Sequence, residues 1–352
     1  MGGRGRRHGR EERELIVAAV EAARAKGARL HAACSVAGIS GRTVERWKKG
    51  PALDLRCGPK HAPANALSSA EVATVLKVLR SPENAAVSPK QLVPRLADAG
   101  IYLASESTMY RLKRRHGLRT TRRPAERSGV TRSTNTHAAT GPNQVWSWDI
   151  TWLPTIIHGR FLYLYVVIDV WSRRVVGWAV HERESADLAA ALIRNICAET
   201  GVDSAGLVLH SDNGKPMRGS TMLAMLQWLG IIPSFSRPHV SNDNPYSESL
   251  FRTLKQTPAY PSLPFASAGT ARAWVTRFVA WYNTEHRHSG IRYVTPDQRH
   301  RGEDQSILAR RAEVYEAARR RRPGRWSRRT RDWAPILAVT LNPALPRPAN
   351  AA

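Results

Sequence analysis

The stretch VWSWDITWL, Val145–Leu153, alternates with period two. Trp146, Trp148, Ile150 and Trp152 fall on one side, and Ser147, Asp149 and Thr151 on the other. It reads as a strand whose tryptophan face meets a core and whose opposite face carries an acid. Downstream, FLYLYVVIDV (161–170) is a near-continuous apolar run, as expected of a central strand buried on both faces. RRVVGWAV (173–180) reads as a third strand. SADLAAALIRNICAET (185–200) is a helix, and GLVLHSD (206–212) a short strand ending in polar residues. GSTMLAMLQWLG (219–230) is a helix and IIPSF (231–235) a short strand. A helix follows Asn244-Pro245. Three strands in series, then helix–strand–helix–strand–helix, imply an α/β layout around a mixed sheet flanked by helices.

Three acids stand out against this framework. Asp149 lies mid-strand, away from the tryptophans. Asp212 ends the GLVLH strand, in HSDNG. Glu248 lies near the start of the next helix, just past Asn244 and Pro245, which read as its N-cap and first-turn proline. Brought together, three carboxylates suit hard divalent cations such as Mg²⁺, with Mn²⁺ as a substitute. Two such ions roughly 3.5–4 Å apart activate an attacking oxygen and stabilise a leaving one in phosphoryl displacement. Arg252 and Lys255 follow Glu248 at i+4 and i+7, on the same helical face, suited to a DNA backbone or terminal base. The plainer reading of Glu248 with Arg252 is an i, i+4 ion pair worth a few tenths of a kcal/mol. The two strand-borne aspartates favour the ligand reading.

The composition points the same way. The chain has 352 residues, enough for two or three domains, and 42% are hydrophobic, enough for a real core. Lys and Arg number 54 against 28 Asp and Glu, a formal charge of +26. That excess suits a polyanion, double-stranded DNA first. An anionic membrane surface is a weaker fit, since no basic amphipathic helix stands out and no 18-residue apolar run occurs. Cys34, Cys57 and Cys197 form no CxxC pair and no zinc spacing, which fits a reduced cytoplasmic interior. The basic N-terminal stretch lacks the apolar core of a signal peptide.

Upstream of the sheet the pattern is helical. In 1–50, Leu30, Ala33 and Cys34 mark a short helix and Gly38 a tight turn. Val44 and Trp47 anchor a helix carrying Arg42, Arg46, Lys48 and Lys49. This reads as a DNA-binding helix-turn-helix, the alternative being an ordinary helical hairpin. A Pro/Gly/Ala-rich linker covers 51–66. A second helix-turn-helix-like module spans 67–118, with a capping box at Ser68 and Glu71, and Ser88-Pro89 opening another helix. In ESTMYRLKRRHG, Met109 and Leu112 share one face, while Arg111, Lys113, Arg114 and Arg115 surround it. Residues 119–143 read as a basic linker, 144–304 as the catalytic core and 305–352 as a basic tail.

WDIT, HSDNG, NPYSESLFRTLK and YNTEHRHSGIRYVTPDQ resemble the catalytic core of bacterial insertion-sequence transposases, which is similar to that of retroviral integrases. The resemblance covers about 140–300. It implies a ribonuclease-H-like fold with all-α helix-turn-helix domains before it, and a DDE triad. Asp149, Asp212 and Glu248 carry over as the catalytic metal ligands. It also implies a DNA transposase that binds element ends, frees a 3′-OH and joins it to target DNA, working as a homo-oligomer on DNA. The zinc-binding HHCC module of retroviral integrases has no counterpart, so end recognition would rest on the helical modules. Thr257-Pro258 and Pro261 end the Glu248 helix early, a departure from the pattern. Two rivals stand beside this reading: a DNA-binding regulator with an inactive core, and a metal-dependent nuclease without strand transfer.

Other polar residues read as supporting. Asp169 is expected to pair with Arg173 or Arg174. His210 either orients substrate or packs. Asn213 and Gly214 shape the loop after Asp212. Asn244 caps its helix. Tyr282, Asn283, His286, Arg287 and His288 support the site or touch phosphate, and the tryptophans are mostly core.

Overall fold

The computed structural model describes residues 8–49, 63, 65–118, 136–237 and 243–342. Most of the expected 51–66 linker, residues 119–135 of the expected basic linker, and Cys57 lie outside the described residues. The chain forms two compact units, divided between Ala66 and Leu67.

The first unit holds three helices: α1 (Arg10–Ala25), α2 (Leu30–Val36) and α3 (Gly41–Lys49). Val20, Cys34 and Val44, one from each helix, form its buried centre, with Ile16, Leu30 and Ile39 around them. Gly38 lies between α2 and α3 at φ +67°, a left-handed conformation that glycine adopts without cost.

In the second unit, α4 (Ser69–Arg80), α5 (Pro89–Asp98) and α6 (Glu106–Arg115) precede a short strand, β1 (His137–Ala139). Then come β2 (Val145–Pro154), β3 (Phe161–Asp169), β4 (Val175–His181), α7 (Ala186–Thr200), β5 (Val208–Ser211), α8 (Ser220–Trp228) and β6 (Ile232–Phe235). The chain continues through α9 (Pro245–Gln256), α10 (Ala268–Thr284), α11 (Pro296–His300), α12 (Asp304–Arg321) and β7 (Val339–Leu341).

The main sheet has the order β4-β3-β2-β5-β6. β2 pairs antiparallel with β3 and β3 with β4, whereas β5 runs parallel to β2 and to β6. The mixed sheet and its flanking helices are as expected. Period-two alternation divides β2 between two cores. Trp146 and Trp148 join Tyr165, Val167, Ile193, Ile196, Met222 and Leu226 on the α7–α8 side. Leu153 joins Leu164, Val166, Ile168, Leu250, Leu254 and Phe278 on the α9–α10 side. β3 feeds both cores, which is why its sequence is apolar throughout.

The expected boundaries at 118 and 305 do not separate independent bodies. Val75, Leu79, Leu92, Met109 and Leu112 of α4–α6 share one core with Ile291, Val294, Leu308, Tyr315 and Trp333. The segment taken for a basic tail thus contributes α12 and two tryptophans to the helical module. Its arginines are not all solvated: Arg311 is fully buried, with its guanidinium on Asp98 of α5 at 2.5 and 2.9 Å. β7 pairs antiparallel with β1, His137 opposite Leu341, so residues taken for the end of a linker belong to a strand.

Candidate active site

β2 and β5 part company beside two of the acids, while β2 stays paired with β3. The parallel ladder between β2 and β5 runs from Val145–Val208 to Ser147–His210 and stops there. Asp149 lies two residues beyond the last pair on β2, and Asp212 just past the end of β5. Glu248 sits in the first turn of α9, which packs on the Asp149 face of the sheet. All three side chains are half-buried.

Asp149 accepts the N–H of Ile150 at 2.8 Å. Burial pushes its carboxyl up to about 7, and the carboxylates of Asp212, Glu248 and Glu184 push the same way, against the Ile150 hydrogen bond. Asp212 and Glu248 therefore both lie within electrostatic reach of Asp149. Burial also raises Glu248, and Arg252 opposes that rise. Asp212 accepts the N–H of Gly214 at 2.9 Å. A Cβ at Gly214 would lie 3.0 Å from Asp212 Oδ1 and 3.1 Å from Met217 Sδ, so glycine permits this close turn. Asn213 donates to the carbonyl of Ser236, as expected of a loop-shaping residue. Among the described residues, no three His, Cys, Asp or Glu side chains close around a single ion position.

Glu184 had no motif around it. It stands in the loop before α7 and accepts the indole N–H of Trp152 at 3.1 Å. Only the fold brings this fourth acid within electrostatic reach of Asp149.

The expected DNA-contacting cations lie on the surface. Arg42, Arg46 and Lys48 are exposed on α3, with Lys48 also 3.0 Å from Glu21. Arg111 and Arg114 are exposed on α6, whereas Lys113 is buried with Nζ 3.5 Å from the Ala85 carbonyl. Arg252 and Lys255 are exposed on α9.

Several supporting residues differ from expectation. Asp169 is fully buried, but its carboxylate does not take Arg173 or Arg174. It accepts the N–H of Asn143 at 2.7 Å, the N–H of Ser172 at 2.7 Å and the Ser172 hydroxyl at 2.6 Å. Arg174 turns instead to Asp297 at 2.7 Å, and Arg173 lies over the Tyr246 ring at 3.9 Å. Asn244 makes no side-chain cap on α9; its amide reaches across to β2. His210 is a packed histidine, held between Ser234 at 2.9 Å and the Asp243 carbonyl at 3.0 Å, and its pKa is lowered by burial. Asn283 binds both main-chain groups of Val175, and Arg287 pairs with Asp98 at 2.9 Å, so both are structural.

Two models described as integrase core domain match residues 139–241 and 229–296. The chain is 33% identical over 159 residues to the transposase for insertion sequence element IS904 of Lactococcus lactis subsp. lactis (strain IL1403). That match covers 45% of this chain and 61% of the relative. It is 34% identical over 161 residues to transposase InsF for insertion sequence IS3A of Escherichia coli (strain K12), covering 46% and 54%. The chain thus spans little more than half the length of these relatives. Among solved structures, a chain of the simian T-cell lymphotropic virus intasome in complex with PP2A regulatory subunit B56 gamma is similar at 20% identity and a TM-score of 0.40. That likeness covers 60% of this chain and 74% of the other. The catalytic core domain of BIV integrase matches at 20% identity and a TM-score of 0.34, over 47% and 97%.

Proposed function

We propose that this chain, whose residues 139–296 carry an integrase core domain like that of insertion-sequence transposases, is a DNA transposase of the DDE type. The single observation that carries the reading is the placement of Asp212 and Glu248 close enough to Asp149, beside the end of the β2–β5 ladder, for their charges to raise its carboxyl. A half-buried carboxylate facing two others calls for a counter-cation, and an all-oxygen donor set suits Mg²⁺ or Mn²⁺. Asp149, Asp212 and Glu248 would hold the ions, which, when bound, supply activation of the attacking oxygen and stabilisation of the leaving oxygen.

The residues of the chain do the rest. Arg252 and Lys255 hold the phosphates of the reacting strand beside the acids. The exposed cations of α3 and α6 bind the element ends as helix-turn-helix modules. In the first step water attacks a phosphodiester phosphorus at the element boundary and the bond to the 3′ oxygen breaks, leaving a 3′-OH. In the second, that oxygen bonds to a target phosphorus, its proton leaves to solvent, and the target's own 3′ oxygen departs. Neither step needs a covalent protein–DNA bond. Two ends must be held at once, so the working form is a homo-oligomer on chromosomal DNA in the cytoplasm.

The test incubates the purified protein with labelled duplexes of the DNA on either side of its gene, in Mg²⁺ or Mn²⁺, beside Glu248→Gln. Boundary nicking and joined products, both lost in the variant, are expected. Nicking without joining would replace the reading with a nuclease. Binding with no cleavage would replace it with a regulator.

A further inference from the structure

Asn244, Ser147 and Ser247 join the two elements that carry Asp149 and Glu248. Ser147 lies on β2 two residues before Asp149, and Ser247 immediately precedes Glu248 on α9. The Ser147 hydroxyl donates to Asn244 Oδ1. Ser147 has only that one hydrogen, so at the 2.7 Å contact between the serine oxygens Ser247 is the donor. The Asn244 amide in turn donates to the Trp148 carbonyl at 3.1 Å. The hydrogen bonds therefore run in one direction, from Ser247 to Ser147 to Asn244 to the main chain of β2.

The location of this chain matters. Ser147, Ser247 and Asn244 are exposed by only 0, 2 and 3%. Asn244 takes the carbonyl of Trp148, one residue past the end of the β2–β5 ladder and one before Asp149. A plain helix start would have used Asn244 as a cap, yet its side chain makes no cap bond. Packing alone would have been served by apolar residues, as Leu250 and Leu254 serve it one and two turns later. Three buried polar side chains that satisfy only one another and one carbonyl fix a register, because a shift of α9 along β2 would leave each of them unpaired.

We propose that Asn244, Ser147 and Ser247 are positioning residues that set the separation and orientation of Asp149 and Glu248 for shared cation binding. The inference rests on the reading of those two acids as ligands. Side chains supporting metal ligands change affinity by roughly 10–100-fold when removed, and misplacement of reacting groups by ~1 Å costs about 100-fold in rate.

The experiment titrates Mn²⁺ into the metal-free chain by calorimetry and measures kcat and KM for cleavage of a duplex of the DNA beside its gene. The proteins are wild type, Asn244→Ala, Ser247→Ala and Glu248→Gln, with thermal unfolding of each as control. Ser247→Ala removes a single donor and leaves the Asn244–Trp148 bond, so it reports even if Asn244→Ala does not fold. Mn²⁺ affinity about 10–100-fold weaker in the serine and asparagine variants, with kcat falling and KM nearly unchanged, is the expected result. Wild-type affinity and kcat in those variants, with binding lost in Glu248→Gln, would overturn the positioning role alone. Undiminished binding by Glu248→Gln would overturn the ligand reading and the positioning role with it.

Discussion

Arg325 reaches back 254 positions to grip both carboxylate oxygens of Glu71, at 3.0 and 2.9 Å. Glu71 is also the capping-box acid of α4, taking the Ser68 N–H at 2.8 Å. The guanidinium first, and the Ser68 N–H next, hold this carboxyl down at about 2. Because the folded value lies below the ordinary one, the pair's contribution is present above about pH 4.5 and is lost as the pH falls towards 2. Arg325→Ala should lower Tm at pH 7, and the gap from wild type should narrow steadily below pH 4. A gap independent of pH would show that Arg325 acts through packing instead.

Asp149 has the opposite sign. Its folded pKa of about 7 lies above the ordinary 3.8, so the folded metal-free protein holds a proton that the unfolded chain releases. Its effect on stability is therefore harmless at low pH and grows worse as the pH rises from about 4 through 7. Asp149→Asn should stabilise the metal-free protein at pH 8 by ~2 kcal/mol, about half the full linkage value because the side chain is only half-buried. The same variant should gain nothing from added Mn²⁺, whereas wild type gains roughly 2.7 kcal/mol at a hundredfold excess over Kd. Urea unfolding with and without the ion measures both.

Gly177 on β4 faces Ile196 on α7 so closely that a Cβ would lie 2.2 Å from Ile196 Cδ1. Gly177→Ala should destabilise the protein by about 1–3 kcal/mol through overpacking. Pairing it with Ile196→Val should recover part of that loss, a coupling that a double-mutant cycle in denaturant reads directly.

If α6 lies on phosphates, Arg111→Ala and Arg114→Ala should each weaken binding to all duplexes about equally. Each should also reduce the slope of log affinity against log salt by about 1. Lys113, buried against the Ala85 carbonyl, contributes nothing to that slope. Fluorescence anisotropy over a range of salt concentrations separates the three.

The sheet was legible because its physics is local. Saturation in FLYLYVVIDV reports a strand buried on both faces, and β3 follows it. Alternation in VWSWDITWL holds for Trp146 and Trp148, but Trp152 is exposed, and Ser147 and Thr151 on the other face are buried, because that face meets α9 and α10. The acids were legible as candidates, Asp149 from its place mid-strand opposite the tryptophans, Asp212 past a strand end and Glu248 at a helix start. The core shared by α4–α6 and α12 was not. Leu308, Arg311, Tyr315 and Ala318 are buried at spacings of three and four, a helical stripe, but arginine at its second position hid the pattern. Its charge is met by Asp98, more than 200 positions earlier, which no local reading supplies. Asn244 misled for a related reason. Asn before Pro at a helix start favours a cap, and only tertiary contact with β2 gives its amide a better use.

The pairing of β1 with β7 has a consequence for synthesis. His137 waits for a partner, Leu341, that the ribosome delivers about 200 residues later, on the order of 10–40 s at ordinary elongation rates. Throughout that interval Ala139, Val145 and Val170 lack the cover that Val339 and Leu341 give them. Translation that stalls anywhere in α12 therefore yields a nascent chain with its sheet made and an apolar seam open. Such a chain should be held by chaperones until β7 emerges.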